Sequence, residues 1–269
     1  ASEVVIAEML GVKREINHTI KHLKSWMKPL SVSTPLMLLG TKGQVQFEAK
    51  GLCLIISPWN YPLNLSICPL VHAIAAGNAV ILKPSELSPA TSAFIQKMIS
   101  SLFDKSEVAV FEGDASISTF LLEQKFDHIF YTGNGKIGRV VMAAAAVNLT
   151  PVTLELGGKS PQLVFSDADQ EAALPFITNA IIQNAGQTCS AGSRLLVEES
   201  IREELLEKVV AAGRSMQPGD PLDPETRMGA IVDEIQMDRV MGYIAKGSEE
   251  GAKLRLGGAA VLKETGGLF

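Results

Sequence analysis

A repeated alternation of short apolar runs and helical stretches is the feature of this sequence that most restricts its fold. The predicted strands are residues 51–57, 79–83, 108–112 and 128–132, and the predicted helices are 66–76, 89–103, 117–123 and 136–146. Parallel strands need crossover helices of this kind, and strands buried on both faces are apolar throughout. The alternation therefore predicts an α/β fold built on a parallel sheet.

The same alternation begins again after a fifth apolar run, at 152–156, which is followed by Gly157 and Gly158. Before the sheet, residues 3–26 repeat apolar side chains with a period near 3.6, which predicts an amphipathic helix. An extended segment follows that helix, to about residue 50. We therefore predict two domains, 1–155 and 156–269. The elements predicted in the second domain are strands at 162–165 and 194–197, helices at 169–184, 201–213 and 233–250, and an edge-like strand at 252–256.

Composition excludes several classes of function. The 269 residues are 46% hydrophobic and 20% charged, as in globular proteins, and a net charge of −5 argues against a nucleic-acid surface. The most apolar stretch, 67–82, is interrupted by His72, Gly77 and Asn78, so we predict no membrane span, and no basic segment suggests a signal peptide. Three cysteines without paired spacing and four scattered histidines argue against disulfides and against a metal site, and fit a reducing cytoplasm.

Two residues stand out as candidates for chemistry. Cys189 lies in Gly-Gln-Thr-Cys-Ser-Ala-Gly, where small and polar neighbours make a poor core; it is either a nucleophile or a buried structural cysteine. Glu155 lies near the end of the apolar run 152–156. It is either a solvent-facing position on an edge strand or a carboxylate in a partly dry pocket that acts as a general base.

Polar residues and glycines also follow the predicted strands of the first domain. Asn60 lies in a Pro-bounded turn, where asparagine ordinarily serves turn geometry. Lys83 and Glu86 come directly after the apolar residues of the second strand. These two charged residues either form a ligand site at the sheet edge or belong to a solvated loop. Gly133 and Gly138 belong to a G-x-G-x-x-G pattern between a strand and a helix, which indicates a phosphate-binding loop. The acidic residue of a standard Rossmann fingerprint, about 20 positions on at a strand end, is missing, so we do not predict a standard Rossmann domain.

Four motifs, in this order and spacing, make the chain resemble the NAD(P)-dependent aldehyde dehydrogenase superfamily. They are Ser-Pro-Trp-Asn-Tyr-Pro at 57–62, Lys-Pro-Ser-Glu at 83–86, Val-Thr-Leu-Glu-Leu-Gly-Gly-Lys-Ser-Pro at 152–161, and the cysteine motif at 186–192. The resemblance covers most of residues 40–269. Up to about residue 160 it is to the class 3 branch, which acts on fatty and aromatic aldehydes, and beyond that to the class 1/2 and betaine-aldehyde branches. It implies a variant Rossmann cofactor domain followed by part of an α/β catalytic domain.

The resemblance implies NAD(P)⁺-dependent oxidation of an aldehyde to a carboxylate. Cys189 would attack the carbonyl, Asn60 and the Cys189 amide would hold the oxyanion of the thiohemiacetal, and hydride transfer to the nicotinamide would leave a thioester. Glu155 would activate the water that hydrolyses this thioester. The residues implied in cofactor binding are Ser57, Trp59, Lys83, Glu86, Gly133, Asn134, Gly138 and Leu156.

Within that set, Lys83 and Glu86 would hold the adenosine ribose. Because Glu86 would repel a 2′-phosphate, NAD is expected to be preferred, with NADP tolerated.

Members of this superfamily are nearly twice as long as this chain. Their nicotinamide-ribose glutamate and C-terminal oligomerisation strand have no counterpart here, so the resemblance implies a partial sequence with an incomplete catalytic domain. It also implies a homodimer or homotetramer for the full-length protein, with an oligomerisation segment at about 35–50. Two other functions stay open: a cofactor-independent Cys-Glu esterase or acyltransferase, and an inactive fragment of a dehydrogenase.

Overall fold

The computed structural model describes residues 3–269, which form two compact units, one ending at Leu156 and the other spanning Gly157–Phe269. The first unit begins with a π-helical turn, Val4–Met9, that continues into helix α1 (Leu10–Trp26). Strands β1 (Leu30–Val32) and β2 (Gly43–Val45) then pair antiparallel. The predicted amphipathic helix is therefore present, and part of the predicted extended segment forms a short ribbon.

A five-stranded parallel sheet follows, as the alternation predicted. Its strand order is β5-β4-β3-β6-β7, and every neighbouring pair is parallel. The strands are β3 (Leu52–Ile56), β4 (Ala79–Lys83), β5 (Val108–Val110), β6 (His128–Gly133) and β7 (Val152–Leu156), and the helices are α2 (Asn64–Ala75), α3 (Pro89–Leu102), α4 (Ala115–Leu122) and α5 (Gly135–Val147).

Both faces of the central strand β3 are buried, which explains its unbroken apolar sequence. Cys53 and Ile55 pack into a core with side chains of α2 and α3. Leu54 and Ile56, which point to the opposite face, pack with side chains of α4, β6 and α5. Because successive side chains of a strand alternate between faces, a strand covered on both sides must be apolar at every position.

The second unit has fewer strands and a smaller core. Its two strands, β8 (Pro161–Val164) and β9 (Arg194–Val197), are parallel neighbours. Its helices are α6 (Gln170–Ile182), α7 (Arg202–Arg214) and α8 (Glu234–Glu249). The buried core consists of Val164, Ile177 and Leu205, with partly buried apolar side chains around them.

The edge-like strand predicted at 252–256 is wrong. This segment has no regular secondary structure, and Leu254 and Leu256 remain 59% and 42% exposed. A strand needs a hydrogen-bonded neighbour, and within residues 157–269 the only strand ladder joins β8 to β9. Gly257 and Gly258 follow at once with φ of +71° and +85°, which turns the chain away from an extended path.

Neither a membrane-spanning helix nor a metal site is found within residues 3–269. Across residues 3–269, no helix combines the length and the apolar composition that crossing a membrane requires. In the same range, no three His, Cys, Asp or Glu side chains are grouped so that they could hold a metal ion.

Candidate active site

Four of the predicted cofactor residues lie at the carboxyl ends of parallel strands in the first unit. Ser57 directly follows β3, Lys83 ends β4, Gly133 ends β6 and Leu156 ends β7. The Ser57 N–H donates to the Lys83 carbonyl over 3.0 Å, which joins the ends of β3 and β4. The sheet grows in opposite directions from β3, with β4 and β5 on one side and β6 and β7 on the other. Open α/β sheets bind ligands outside the carboxyl ends of the strands at such a reversal.

The Lys83 side chain is only 3% exposed, and its ammonium donates to Glu86 Oε2 over 2.6 Å. A buried cation needs a carboxylate partner because its removal from water is costly. The Glu86 side chain is 42% exposed, so the same carboxylate pairs with Lys83 and reaches solvent. The Ser92 hydroxyl donates to the Ser85 carbonyl over 2.8 Å and ties helix α3 to this turn. Lys83 therefore does not belong to a solvated loop.

The Ser57 hydroxyl lies at the same sheet edge and is unusual in its environment. Its Oγ is buried and has no hydrogen-bond partner in the part of the chain that the structure describes. Leaving a buried hydroxyl unpaired costs about 1–3 kcal/mol. A polar ligand atom at this edge would remove that cost.

Asn60 lies in a turn between β3 and α2 that contains Trp59, Asn60 and Tyr61, all partly buried. Tyr61 has φ of +45°, in the left-handed region that non-glycine residues rarely occupy, and its carbonyl accepts from the Leu65 N–H. Such backbone conformations persist where surrounding contacts hold them, and they are concentrated at functional sites.

Glu8 contacts the end of this turn and was not among the predicted site residues. Its Oε2 accepts from the Leu63 N–H over 2.7 Å. The two residues are 55 positions apart in the chain, and no local sequence pattern signals such a contact. Only the packing of the N-terminal helix against α2 brings them together.

The G-x-G-x-x-G segment forms the expected junction between β6 and α5. Asn134 caps α5, with its Oδ1 accepting from the Ile137 N–H over 2.9 Å. A Cβ on Gly138 would lie 3.1 Å from a Leu156 methyl group, and one on Gly133 would collide with the Tyr131 hydroxyl. The glycines therefore permit close packing here, and the start of α5 presents a helix N-terminus at the sheet edge.

Glu155 is exposed near the end of β7, an edge strand whose one neighbour is β6. We expected a partly dry pocket around this carboxylate, and that expectation is wrong, because Glu155 is exposed in the structure. Successive side chains of a strand point to opposite faces of the sheet, and both Glu155 and the next residue, Leu156 (40% exposed), are exposed, so neither face is covered at this end of β7. The carboxylate faces solvent and is accessible to water.

In the second unit, the Cys189 loop is held by hydrogen bonds on several sides. The Gly158 N–H donates to the Cys189 carbonyl over 3.1 Å, and the Gly192 N–H donates to the Ala180 carbonyl over 2.8 Å. The Gln187 side chain donates to the Ala230 carbonyl and accepts from the Val232 N–H. The preceding residues Asn184, Ala185 and Gly186 all have φ between +51° and +75°. The loop is thus fixed while its cysteine stays exposed.

The three cysteines are all free, but they differ in environment. Cys53 is buried and Cys68 is half-buried, whereas Cys189 is exposed. Burial raises the pKa of the Cys53 and Cys68 thiols, and the nearby carboxylates of Asp127 and Glu15 raise it further. The interpretation of Cys189 as a buried structural cysteine is therefore wrong.

The first unit is an open parallel sheet with a glycine loop at its carboxyl edge, and the second unit holds an exposed thiol in a loop fixed by hydrogen bonds. Residues 5–269 match the aldehyde dehydrogenase family. The chain is 39% identical over 259 residues to the putative aldehyde dehydrogenase AldX of Bacillus subtilis (strain 168), covering 95% of this chain and 58% of AldX. It is 41% identical to aldehyde dehydrogenase family 3 member H1 of Arabidopsis thaliana, covering 88% of this chain and 49% of that protein.

A solved structure agrees with these sequence matches. The crystal structure of an indole-3-acetaldehyde dehydrogenase in complex with NAD⁺ superposes with a TM-score of 0.92 at 38% identity, covering 99% of this chain and 54% of that one. The chain therefore belongs to the aldehyde dehydrogenase family. It spans about half the length of the curated relatives it matches.

Proposed function

We propose that this chain carries the nucleophile and the cofactor-binding residues of an enzyme that oxidises an aldehyde to a carboxylate with NAD(P)⁺. The observation that carries the proposal is the Cys189 loop. Its thiol is free and exposed, while hydrogen bonds at Gly158, Gln187 and Gly192 fix the backbone around it. Covalent catalysis needs an accessible nucleophile that is already held in position.

In the proposed reaction, Cys189 Sγ attacks the aldehyde carbon and forms a thiohemiacetal. The oxyanion accepts hydrogen bonds from the Asn60 side-chain amide and from the Cys189 N–H, and one such donor lowers the barrier by about 2.7–4 kcal/mol. Oxidation leaves a thioester on Cys189. Glu155 then takes a proton from the water that hydrolyses the thioester, and its exposed carboxylate is accessible to that water.

The carboxyl edge of the first unit fits a dinucleotide. It offers an unpaired buried hydroxyl on Ser57, the ammonium of Lys83 and the capped N-terminus of α5. We propose that NAD is held there by Ser57, Trp59, Lys83, Glu86, Gly133, Asn134, Gly138 and Leu156. When bound, NAD⁺ supplies the hydride acceptor for the oxidation. The solvent-exposed part of Glu86 can accept from ribose hydroxyls and repels a 2′-phosphate, so we propose that NAD is preferred and NADP tolerated.

We further propose that residues 1–155 act as the cofactor domain and 156–269 as part of the catalytic domain. The three free cysteines fit a reducing cytoplasm. The segment at about 35–50 exposes several large apolar side chains, among them Met37 at 95% and Phe47 at 68%. Apolar surface of this kind is typical of interfaces, which supports a homodimer or homotetramer of the full-length protein.

The test is a rapid-mixing assay of the full-length protein with an aldehyde and NAD⁺. Glu155→Gln should retain a stoichiometric burst of NADH and slow the steady state by at least roughly a hundredfold, because general-base help is lost only in deacylation. Unchanged turnover would remove Glu155 from the mechanism. Ester hydrolysis without cofactor and no NADH from aldehydes would instead favour a Cys-Glu esterase.

A further inference from the structure

Glu8 is the one Asp or Glu side chain within residues 3–269 that is buried, with 8% of its surface exposed. It lies in the π-helical turn Val4–Met9 that precedes α1. Removing a carboxylate from water is costly, so buried carboxylates are kept where charge-assisted hydrogen bonds compensate them. The partners of Glu8 therefore indicate what the residue is for.

Those partners are at the start of α2. Glu8 Oε2 accepts from the Leu63 N–H over 2.7 Å and from the Asn64 N–H over 3.4 Å. The Asn64 side chain donates back to the Ala7 carbonyl over 2.7 Å. The first N–H groups of a helix have no partner within the helix, and the positive end of the helix dipole favours an anion there. Glu8 thus caps α2 from a distant part of the chain.

The cap fixes one end of the turn that carries Asn60. The other end is fixed by the Ser57 N–H, which donates to the Lys83 carbonyl. Between these anchors, Pro58 and Pro62 have no N–H to donate, and Tyr61 has the strained φ of +45°. The prolines leave the turn with few backbone donors, and the contacts at its two ends help to hold its conformation.

We propose that Glu8 is a positioning residue: by anchoring Leu63 and Asn64, it orients the Asn60 amide. This inference rests on the proposed role of Asn60 as an oxyanion donor. A donor that is slightly misplaced loses part of its effect on the transition state, because the hydrogen bond is sensitive to distance and angle.

The chain offers a matched control for a purely structural role. Glu15 also joins α1 to α2, through a hydrogen bond of 2.7 Å to His72 Nε2. His72 is eight positions along α2 from Asn64, about 12 Å at 1.5 Å per residue. Glu15→Gln therefore weakens the contact between the two helices without touching the Asn60 turn.

The experiment is a double-mutant cycle on the NADH burst rate of the full-length enzyme, combining Glu8→Ala with Asn60→Ala. Glu8→Ala should slow the burst by about tenfold in the unmodified enzyme and by less than about twofold when Asn60 is already alanine, because coupled residues are not additive. Glu8→Gln keeps an oxygen acceptor but loses the negative charge, so it should slow the burst by only about twofold to fivefold. Glu15→Gln should change the burst by less than about twofold in either background, and NAD affinity should stay constant throughout.

Equal slowing in both backgrounds, or an unchanged burst in Glu8→Ala, would overturn the proposal while leaving the proposed function standing. If Glu8→Ala does not fold, the same cycle with Glu8→Gln decides, with a loss of about twofold to fivefold that disappears in the Asn60→Ala background as the supporting result. An unchanged burst in Asn60→Ala alone would refute the oxyanion role and, with it, the positioning role. Loss of the burst in Cys189→Ala would still show that the Cys189 thiol is required for oxidation.

Discussion

Each of the three cysteines has a different exposure, and this difference decides which thiol reacts. The thiolate is the nucleophilic form, and burial raises the pKa of Cys53 and Cys68. We expect iodoacetamide to label exposed Cys189 first, at least about tenfold faster than the other two, with loss of activity in step. Peptide mass spectrometry measures the labelling, and Cys68→Ala serves as the control. Inactivation with label on Cys53 or Cys68 and none on Cys189 would contradict the assignment.

The Lys83–Glu86 pair should influence both cofactor choice and stability. Glu86→Gln removes the charge proposed to repel a 2′-phosphate, so a preference for NAD of about ten- to a hundredfold in kcat/KM should narrow. It also leaves the buried Lys83 ammonium without its carboxylate. A fully buried ion pair costs roughly 3–5 kcal/mol when broken; since Glu86 is 42% exposed, we expect about 1–2 kcal/mol.

Steady-state kinetics with both cofactors and urea unfolding measure these two effects. Glu112→Gln, at an exposed carboxylate after β5, is the charge-matched control. It should change neither the preference for NAD nor the free energy of unfolding. Equal efficiency of the unmodified enzyme with NAD and NADP would show that Glu86 does not face the ribose.

At the scale of elements, the junction between β6 and α5 combines a helix cap with a proposed phosphate site. Asn134→Ala removes the cap and should lower the free energy of unfolding by about 1 kcal/mol and weaken NAD binding. Asn134→Asp keeps an oxygen acceptor, so it should preserve stability, but its negative charge should still weaken NAD binding. Calorimetric titration and urea unfolding separate the two effects.

The cap of α8 provides the control for that experiment. Asp233 Oδ1 accepts from the Gln236 N–H over 2.7 Å in the second unit. Asp233→Ala should cost a similar amount of stability and leave NAD affinity unchanged. If Asn134→Asp bound NAD as tightly as the unmodified enzyme, the pyrophosphate would not lie at the start of α5.

The elements that the sequence predicted well are those whose signal is local. The run that became β3 is apolar throughout and buried on two faces, so every residue in it carries the signal, and most residues of β4 and β6 do. The strand prediction at 252–256 failed because apolar and charged residues do alternate there, but within residues 157–269 this segment has no neighbouring strand to pair with. Glu8 was missed because its role depends on a contact 55 positions away, and the pocket expected at Glu155 depended on packing that β7 does not have.

At the scale of the whole molecule, the exposed apolar side chains at 36–39 support the proposed self-association. Leu36, Met37 and Leu39 are 83–95% exposed next to the β1–β2 ribbon. Met37→Asp in the full-length protein should weaken self-association by at least about tenfold, because a charge at an apolar interface must be desolvated. Light scattering during size-exclusion chromatography measures the mass. Val147→Asp, at an exposed apolar site outside this segment, should leave the mass unchanged.

The turn that carries Asn60 also gives the molecule an optical property. The chain has two tryptophans, and they lie in different settings. Trp26 is stacked on the His22 ring at the end of α1, with centroids 5.8 Å apart, whereas Trp59 is the residue before Asn60. Replacing Trp26 with phenylalanine leaves a single indole within these 269 residues, one position from the proposed oxyanion donor. The fluorescence of Trp59 would then report conformational changes of this turn and ligand binding beside it in real time, without any attached dye.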